Sequence, residues 1–315
     1  MEKAIVLGAT GGTGQAIVSE LLSRNQQVIA FGRSENKLKK LMMEHHSTPL
    51  LTYKLGDVFD YKTIVVAAKD ADVIFQCANV QYHEMEEKLL HLGESVMKAA
   101  DILGKKIVIV DGIYVYGRQV AKGDENHPKQ PHTKKGKIRV EFENLIFDNK
   151  WKNAKSLIVR LPDYYGKASQ NSYLQPTLTG MAANKIAVFI GNLKTPREYV
   201  YLPDAAKMIV EIASKDDSYG ENWNIPGAGL ISGKEIIKMA REITGNTKLV
   251  IPLNKNAIRI SGLFDPVMKE VVEIMYLTEE AFMLSGEKYE NRIGEIVATP
   301  YKDGLKETLH FLMGK

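Results

Sequence analysis

Residues 5–14, near the start of the chain, read Ile5-Val6-Leu7-Gly8-Ala9-Thr10-Gly11-Gly12-Thr13-Gly14. Three apolar residues, typical of a buried strand, lead directly into a glycine-rich turn. Apolar residues then repeat at helical spacing between Ile17 and Leu22, and a second apolar run, Val28-Ile29-Ala30-Phe31, follows. This order predicts a strand, a helix and a second, parallel strand.

The same alternation continues along the first half of the chain. Apolar runs that predict strands lie at 50–54, 73–75, 107–110 and 156–159. Helical patterns separate them at 35–46, after Asp60, at 84–103 and at 134–148. Short apolar strands that alternate with helices are typical of a parallel sheet covered on both faces. The sequence therefore predicts an α/β fold with a doubly wound Rossmann-type parallel sheet.

The glycine-rich turn has the position and composition of a phosphate-binding loop. Glycines permit a tight turn and let a pyrophosphate approach the backbone, whose N–H groups and helix N-terminus stabilise its negative charge. Glycine turns are common in α/β proteins, but a turn between an apolar strand and an amphipathic helix favours dinucleotide binding. The residues predicted to hold the cofactor here are Gly8, Thr10, Gly11, Gly12, Thr13 and Gly14.

The second half of the chain is less regular. Proline and glycine interrupt residues 165–191, a strand and a helix return at 198–213, and Pro226-Gly227-Ala228-Gly229 opens a mostly helical tail. We expect a dinucleotide-binding domain of residues 1–163 plus about 195–227. A smaller, mostly helical substrate-binding lobe would comprise about 164–194 plus 228–315.

Composition excludes several classes of protein. With 44% hydrophobic and 25% charged residues among 315, the chain is neither disordered nor a disulfide-stapled miniature. Its 42 basic and 38 acidic side chains leave a net charge of +4, too small to indicate nucleic acid or a membrane as partner. Cys77 has no second cysteine to pair with, and Met1-Glu2-Lys3 lacks a signal-peptide layout. We expect a cytoplasmic protein that binds a small molecule and no metal.

Six short elements, in order, resemble the extended short-chain dehydrogenase/reductases, the NAD-dependent epimerase/dehydratase-like group. They are the Gly8–Gly14 turn with its G-x-x-G-x-x-G spacing, Gly56-Asp57, Cys77-Ala78-Asn79, Val115-Tyr116-Gly117, Arg160-Leu161-Pro162 with Tyr165-Gly166, and Tyr199-Val200-Tyr201-Leu202-Pro203-Asp204. The resemblance implies that Asp57, with Val58 beside it, contacts the adenine. It also implies that Cys77, Ala78 and Asn79 line the path of the ribose and nicotinamide. A turn or helix-cap role for Asp57 stays an alternative.

The end of the second strand indicates which dinucleotide is bound. An enzyme that selects NAD needs a carboxylate there for the ribose 2′-hydroxyl, whereas NADP needs a cation for the 2′-phosphate. Phe31-Gly32-Arg33-Ser34 supplies Arg33 and no acid, and Lys37 lies close behind. An exposed arginine after a strand is also common, but the sequence favours NADP over NAD.

The catalytic positions depart from the family pattern. The family uses a Tyr-x-x-x-Lys pair on the helix after the fifth strand, and none of the 14 tyrosines here is followed by lysine four residues later. Alignment places Lys135 at the tyrosine, Arg139 at the lysine and Gly112 at the family serine or threonine. Arg139 is expected to hold the ribose, and Lys135 to donate a proton if Arg139 lowers its pKa.

Alternatives to these catalytic assignments stay open. Lys135 also fits a solvated, basic start to an amphipathic helix. Tyr116 is a second candidate proton donor, since it lies just beyond a strand end where ligands bind in open α/β sheets. Three further tyrosines share that placement, namely Tyr114, Tyr164 and Tyr165. Arg197, by family position, would face the substrate and pair with an anionic group or be solvated.

Two functions follow from these observations. The first is an NADP-dependent oxidoreductase or epimerase/dehydratase-like enzyme with a non-standard catalytic site, acting on a nucleotide sugar or another carbonyl compound. The second is a non-catalytic NADP-binding sensor or regulatory protein. The sequence favours the enzyme, because the lobe that would cover a substrate is present. No motif identifies the substrate. The sequence also leaves open whether the protein forms a homodimer.

Overall fold

The computed structural model describes residues 1–118, 122–169, 172–261, 270 and 272–314. Strands and helices alternate through its first half: β1 (Lys3–Leu7), α1 (Gly12–Ser23), β2 (Gln27–Gly32), α2 (Glu35–Glu44), β3 (Leu51–Leu55), α3 (Tyr61–Ala68), β4 (Val73–Gln76), α4 (Met85–Leu103), β5 (Lys106–Gly112), α5 (Lys134–Ile146) and β6 (Lys155–Leu161). The strands and helices that the sequence predicts in this half are confirmed, with bounds that differ by at most about two residues.

Local side chains explain where several of these helices begin and end. Ser34 accepts a hydrogen bond from the amide of Lys37 and begins α2, and Asp60 accepts from Lys62 and begins α3. Gly104 ends α4 in the left-handed conformation, with φ of +61°. These polar and glycine residues therefore separate the apolar runs into discrete elements.

The strands form a seven-stranded sheet in the order β10-β6-β5-β4-β1-β2-β3, in which β10 is Asn222–Asn224. Strand β1 pairs in parallel with both neighbours, so that Ile5 lies opposite Ile29 on one side and Ile74 on the other. The β2–β3 and β4–β5 pairs are parallel as well. The predicted doubly wound α/β sheet is confirmed. The strand order reverses between β1 and β4, and ligands bind at such switch points.

Apolar side chains from the sheet and helices α3, α4 and α5 form one buried core in this half of the chain. Ile5, Phe31, Ile74, Val96 and Phe142 are among its members. Each such side chain contributes about 1.5–3 kcal/mol when fully buried. The core therefore holds the carboxyl ends of β1 and β4 in fixed positions.

The second half adds shorter elements: β7 (Asp163–Tyr165), α6 (Gln175–Ala182), β8 (Ala187–Ile190), β9 (Pro196–Tyr201), α7 (Leu202–Ala213), β11 (Leu230–Ser232), α8 (Gly233–Thr244), β12 (Val250–Leu253), α9 (Lys255–Ser261), α10 (Tyr276–Glu279), α11 (Glu287–Arg292) and α12 (Tyr301–Leu312). The strand and helix predicted at 198–213 are confirmed as β9 and α7. Residues 165–191, predicted as irregular, contain α6 and β8. They were missed because Pro176 lies in the first turn of α6, where proline is tolerated, and β8 is only four residues long.

The chain divides into two compact units. The first comprises Met1–Asp111, Ile138–Arg160 and Ala206–Trp223, and the second Gly112–Lys137, Leu161–Ala205 and Asn224–Lys315. The sequence predicts residues 112–137 and 195–205 in the first domain, whereas they lie in the second unit. That the first unit holds the cofactor and the second the substrate stays a prediction. In the described part of the chain, no helix is long and apolar enough to cross a membrane.

Candidate functional site

The glycine-rich turn connects β1 to α1 at the centre of the sheet. Gly8 has φ of +77°, a conformation that residues with a side chain rarely adopt, and its amide donates to the carbonyl of Phe31 at 3.1 Å. A Cβ on Gly8 would lie 2.6 Å from the amide nitrogen of Ala78, and one on Gly14 would lie 2.3 Å from the Gly8 carbonyl oxygen. Close backbone packing therefore requires glycine at both ends of the turn.

The middle of the same turn is open. Gly11 is exposed, is the N-cap of α1 and has extended backbone angles, φ −82° and ψ 166°. Within the described residues, no side chain caps the first turn of α1, and that turn contains no acidic residue. The N–H groups of Gly12, Thr13 and Gly14 thus begin a helix whose positive dipole end suits a pyrophosphate.

The end of β2 carries positive charge. Arg33 is exposed, and Lys37 lies in the first turn of α2. The nearest acid in sequence, Glu35, is bound by Lys39 at 2.9 Å and accepts from the Tyr53 hydroxyl at 3.2 Å. These contacts engage the Glu35 carboxylate. Arg33 lies near another acid, Glu84, whose pKa is lowered by its hydrogen bond to Lys88 and in part by the Arg33 charge.

Asp57 forms the turn that leads from β3 into α3. Its Oδ1 atom accepts from the amide of Phe59 at 3.1 Å, while its carbonyl accepts from the Thr63 hydroxyl. Asp57 therefore has the turn role that the sequence left open as an alternative to contact with the adenine. Val58 is partly buried against the core. Contact of Asp57 with an adenine stays a prediction.

The segment after β4 packs directly against the glycine-rich turn. Cys77 donates its amide to the carbonyl of Leu7 at 2.9 Å, which extends the β1–β4 pairing by one residue. Burial raises the pKa of the Cys77 thiol, which disfavours the thiolate. Ala78 contacts Gly8, and Asn79 follows with an exposed side chain. The structure thus brings the predicted cofactor residues after β1 and β4 together.

Arg139 joins this group from α5. It is buried, and its Nη2 atom donates to Oδ1 of Asn79 at 2.9 Å while Nη1 donates to Oδ1 of Asp111 at 2.6 Å. Asp111 also lies 3.8 Å from Nε of Arg160, whose Nη2 atom binds Glu143 at 2.6 Å. Two arginines and two carboxylates therefore form a charge-balanced buried network. The sequence analysis missed Asp111; an acid within an otherwise apolar strand was the available signal.

Lys135 does not have the properties expected of a proton donor. Its side chain is buried, and Nζ forms ion pairs with Glu270 and with Glu273, the latter at 3.0 Å. The amide of Lys135 also donates to Oε1 of Glu273 at 3.1 Å. Burial lowers the pKa of Lys135, but the hydrogen bonds that its ammonium donates to both glutamates, together with their negative charges, outweigh burial, so the pKa is raised. The expected fall in this pKa is wrong. The alternative of a solvated, basic helix start is wrong for Lys135, whereas Lys134 and Lys137 are exposed.

Lys135→Met is expected to lower the stability of the protein by about 2 kcal/mol. Breaking a buried ion pair costs several kcal/mol, and the cost is smaller here because both glutamates are partly exposed. Thermal unfolding of the variant measures the loss. Lys137→Met, at an exposed position of the same helix, serves as control and should unfold like the parent. Equal unfolding temperatures for both variants would contradict a structural role.

The four tyrosines beyond strand ends differ in burial. Tyr116 is buried and donates its hydroxyl to Oδ1 of Asn224 at 2.9 Å, which is the environment of a packing residue. Tyr165 is also buried, and burial raises its pKa. Tyr114 and Tyr164 are half-buried. A Cβ built on Gly112 would lie 2.8 Å from Cε2 of Tyr114, so this ring occupies the space beside Gly112.

In the second unit, Arg197 is buried and is not a solvated strand-edge residue. Its Nη2 atom donates to the carbonyl of Ile190 at 3.0 Å, and its guanidinium lies 5–6 Å from three ring centres, those of Tyr173, Phe189 and Tyr199. Among the residues that the structure describes, Nε of Arg197 has no hydrogen-bond partner.

Two carboxylates of the second unit have raised pKa values: Asp163, which the sequence did not single out, and Glu198, which follows Arg197 in the run expected to face the substrate. Burial raises the pKa of Asp163 to about 6, against the lowering effect of the Arg197 charge. Burial likewise raises the pKa of Glu198 to about 7, although its oxygens accept from the amides of Leu284 and Gly227. Over the described ranges, no cluster of three or more histidine, cysteine or acidic residues could hold a metal ion.

Comparison with known proteins agrees with the fold and the order of motifs. Residues 4–226 match the model of the NAD dependent epimerase/dehydratase family. The chain is 23% identical over 238 residues to the decarboxylating sterol-4-alpha-carboxylate 3-dehydrogenase of Dictyostelium discoideum. The matched region covers 69% of each protein. It is 21% identical over 294 residues to the dTDP-4-dehydro-6-deoxyglucose reductase of Escherichia coli, 86% of this chain and 90% of that one.

Among solved structures, UDP-glucuronic acid 4-epimerase from Bacillus cereus, in complex with UDP-glucuronic acid and NAD, has a TM-score of 0.79 over 98% of both chains. Its 16% identity means that this likeness shows the fold alone. The family model, in contrast, matches well over half of this sequence, from β1 to the segment after β10. The chain belongs to the NAD dependent epimerase/dehydratase family.

Proposed function

We propose that the protein binds NADP(H) in its first unit and acts as an oxidoreductase or epimerase-like enzyme with a non-standard catalytic site. The observation that carries the proposal is the turn from Gly8 to Gly14, which ends in an uncapped helix N-terminus and packs against Ala78. Bound there, the cofactor would supply hydride chemistry. The chain would hold its pyrophosphate on the turn and its nicotinamide ribose near Asn79 and Arg139.

Calorimetric titration with NADPH, NADP⁺ and NADH tests this assignment without knowledge of the substrate. Saturable binding with one site per chain is the expected result. Activity is then measured as NADPH oxidation against aldehydes, ketones, quinones and nucleotide sugars, with isotope exchange at nicotinamide C4 to detect hydride that is recycled internally. A protein that binds none of the three dinucleotides would contradict the proposal.

Preference for NADPH over NADH is expected to depend on Arg33. Arg33→Ala should weaken NADPH binding by about 1.5–3 kcal/mol, because the 2′-phosphate loses a charge-assisted hydrogen bond. NADH lacks that phosphate and should bind the variant and the parent alike. Lys40→Ala removes one positive charge from an exposed position on α2 and serves as control, with both affinities unchanged. Equal losses of affinity for NADPH and NADH in Arg33→Ala would contradict the proposal that Arg33 selects NADPH.

The proton donor is proposed to be Tyr114. Lys135 binds two glutamates and Tyr116 binds Asn224, which disfavours both as the acid. Tyr114 has contacts of its own as well, so the choice rests on its position. The half-buried ring of Tyr114 lies beside Gly112, the position at which the family has a hydroxyl. A phenol is a competent general acid. The substrate is proposed to be a carbonyl compound, and the buried cation of Arg197 favours one that carries an anionic group, as nucleotide sugars do.

A second candidate function is a non-catalytic NADP(H)-binding protein that reports the state of the cofactor pool. The observation in its favour is that both replaced positions of α5 bind carboxylates of the chain itself, Lys135 with Glu270 and Glu273, and Arg139 with Asp111. The substrate panel and the isotope exchange distinguish the two functions. Cofactor binding without either form of turnover would favour the sensor.

A further inference from the structure

Asp111 holds the side chain of Arg139 in one orientation together with Asn79. Asp111 lies in β5 and is only 5% exposed, and its Oδ1 atom accepts from Nη1 at 2.6 Å. Asn79 accepts from Nη2 at 2.9 Å. Two hydrogen bonds to different nitrogens of a planar guanidinium fix both its position and its plane.

The same contact cancels charge. A carboxylate at hydrogen-bond distance from a buried guanidinium offsets most of the electric field that the guanidinium exerts on a third group. The two opposite charges are close together, so their effects on that group nearly cancel. Arg160, the other cation near Asp111, is bound by Glu143 at 2.6 Å. Each arginine of the network therefore has its own carboxylate, and the Arg139 end is close to neutral.

We propose that Asp111 is a positioning residue that fixes Arg139 at the nicotinamide ribose and balances its charge, so that oxidised and reduced cofactor bind with comparable affinity. The inference rests on the proposed function, in which NADP(H) binds to the first unit. The two redox states differ at the nicotinamide, whose ring is cationic when oxidised and neutral when reduced. An unbalanced guanidinium beside the ring would disfavour the oxidised form, and a balanced one would not.

Asp111→Asn tests the proposal through the ratio of the dissociation constants for NADP⁺ and NADPH. The variant keeps the shape of the side chain and removes its charge, so the ratio is expected to rise on the order of tenfold. Glu143→Gln is the matched control, since Glu143 is 6% exposed and also binds a buried arginine of this network. Both variants leave a buried arginine without its charged partner, but only Asp111→Asn should change the ratio of the NADP⁺ and NADPH dissociation constants. An unchanged ratio, or the same change in both variants, overturns the proposal.

Asn79→Ala covers the case in which Asp111→Asn does not fold. Asn79 is exposed, and its loss releases one anchor of Arg139 without leaving a buried charge unpaired. It should leave the ratio of the NADP⁺ and NADPH dissociation constants unchanged, because Asp111 still balances the charge of Arg139, and a changed ratio would contradict that role of Asp111. Failure of the unmodified protein to bind either cofactor would contradict the proposed function instead. Binding by that protein with every variant unchanged would contradict only the role of Asp111.

Discussion

Gly11→Val is expected to abolish NADP(H) binding while the protein stays folded. The backbone at Gly11 is extended, with φ −82° and ψ 166°, which valine adopts readily. A Cβ there would approach only the Gly8 carbonyl oxygen, at 3.4 Å, and the position is exposed. The two methyl groups would instead project where a pyrophosphate must approach the turn. Calorimetric titration with NADPH measures the loss, and thermal unfolding checks the fold.

Gly14→Val gives the contrast that makes this result interpretable. A Cβ on Gly14 would lie 2.3 Å from the Gly8 carbonyl oxygen, so that variant should lose stability as well as binding. Gly11→Val separates the loss of binding from the loss of stability, because its added methyl groups would contact the bound cofactor and not the rest of the protein. A Gly11→Val protein that binds NADPH with unchanged affinity would show that the phosphate site lies elsewhere.

Tyr114→Phe is expected to lower turnover by about 10²–10⁴-fold, the usual contribution of general acid catalysis. Phenylalanine keeps the ring beside Gly112 and removes only the hydroxyl, so NADPH affinity should not change. The comparison uses the most active carbonyl substrate of the panel, with kcat measured at saturating NADPH. Tyr61→Phe, at a half-buried tyrosine of α3, is the control and should retain turnover. Full activity in Tyr114→Phe would exclude this phenol as the acid.

The first half of the fold could be predicted because its signals are local. Apolar runs, helical spacing and capping residues such as Asp60 all act within a few positions of one another. The turn from Gly8 to Gly14 is equally local. Its glycine spacing could be recognised in the sequence, including Gly8, which has a positive φ, and Gly14, which packs closely against backbone. The bounds of the two units were not, because the chain passes between them inside regular elements such as α5, where periodicity does not change.

The partners of the catalytic candidates could not be predicted for the opposite reason. Lys135 meets Glu270 and Glu273, which are 135 and 138 residues away in sequence, and no pattern joins them. Without those carboxylates, the spacing of Lys135 and Arg139 on one helix indicated a lysine with a lowered pKa. With them, the ion pairs raise it. Arg139 and Asp111 are 28 residues apart and on different elements, so their contact was also invisible to local analysis.

The five points at which the chain passes from one unit to the other, after residues 111, 137, 160, 205 and 223, determine how the protein can be dissected. A fragment that ends at residue 111 would lack β6 and β10, and hence one edge of the seven-stranded sheet. During synthesis, that edge is completed only after β10 leaves the ribosome. Neither unit can therefore be expressed as one continuous piece, and cofactor binding has to be studied on the full chain.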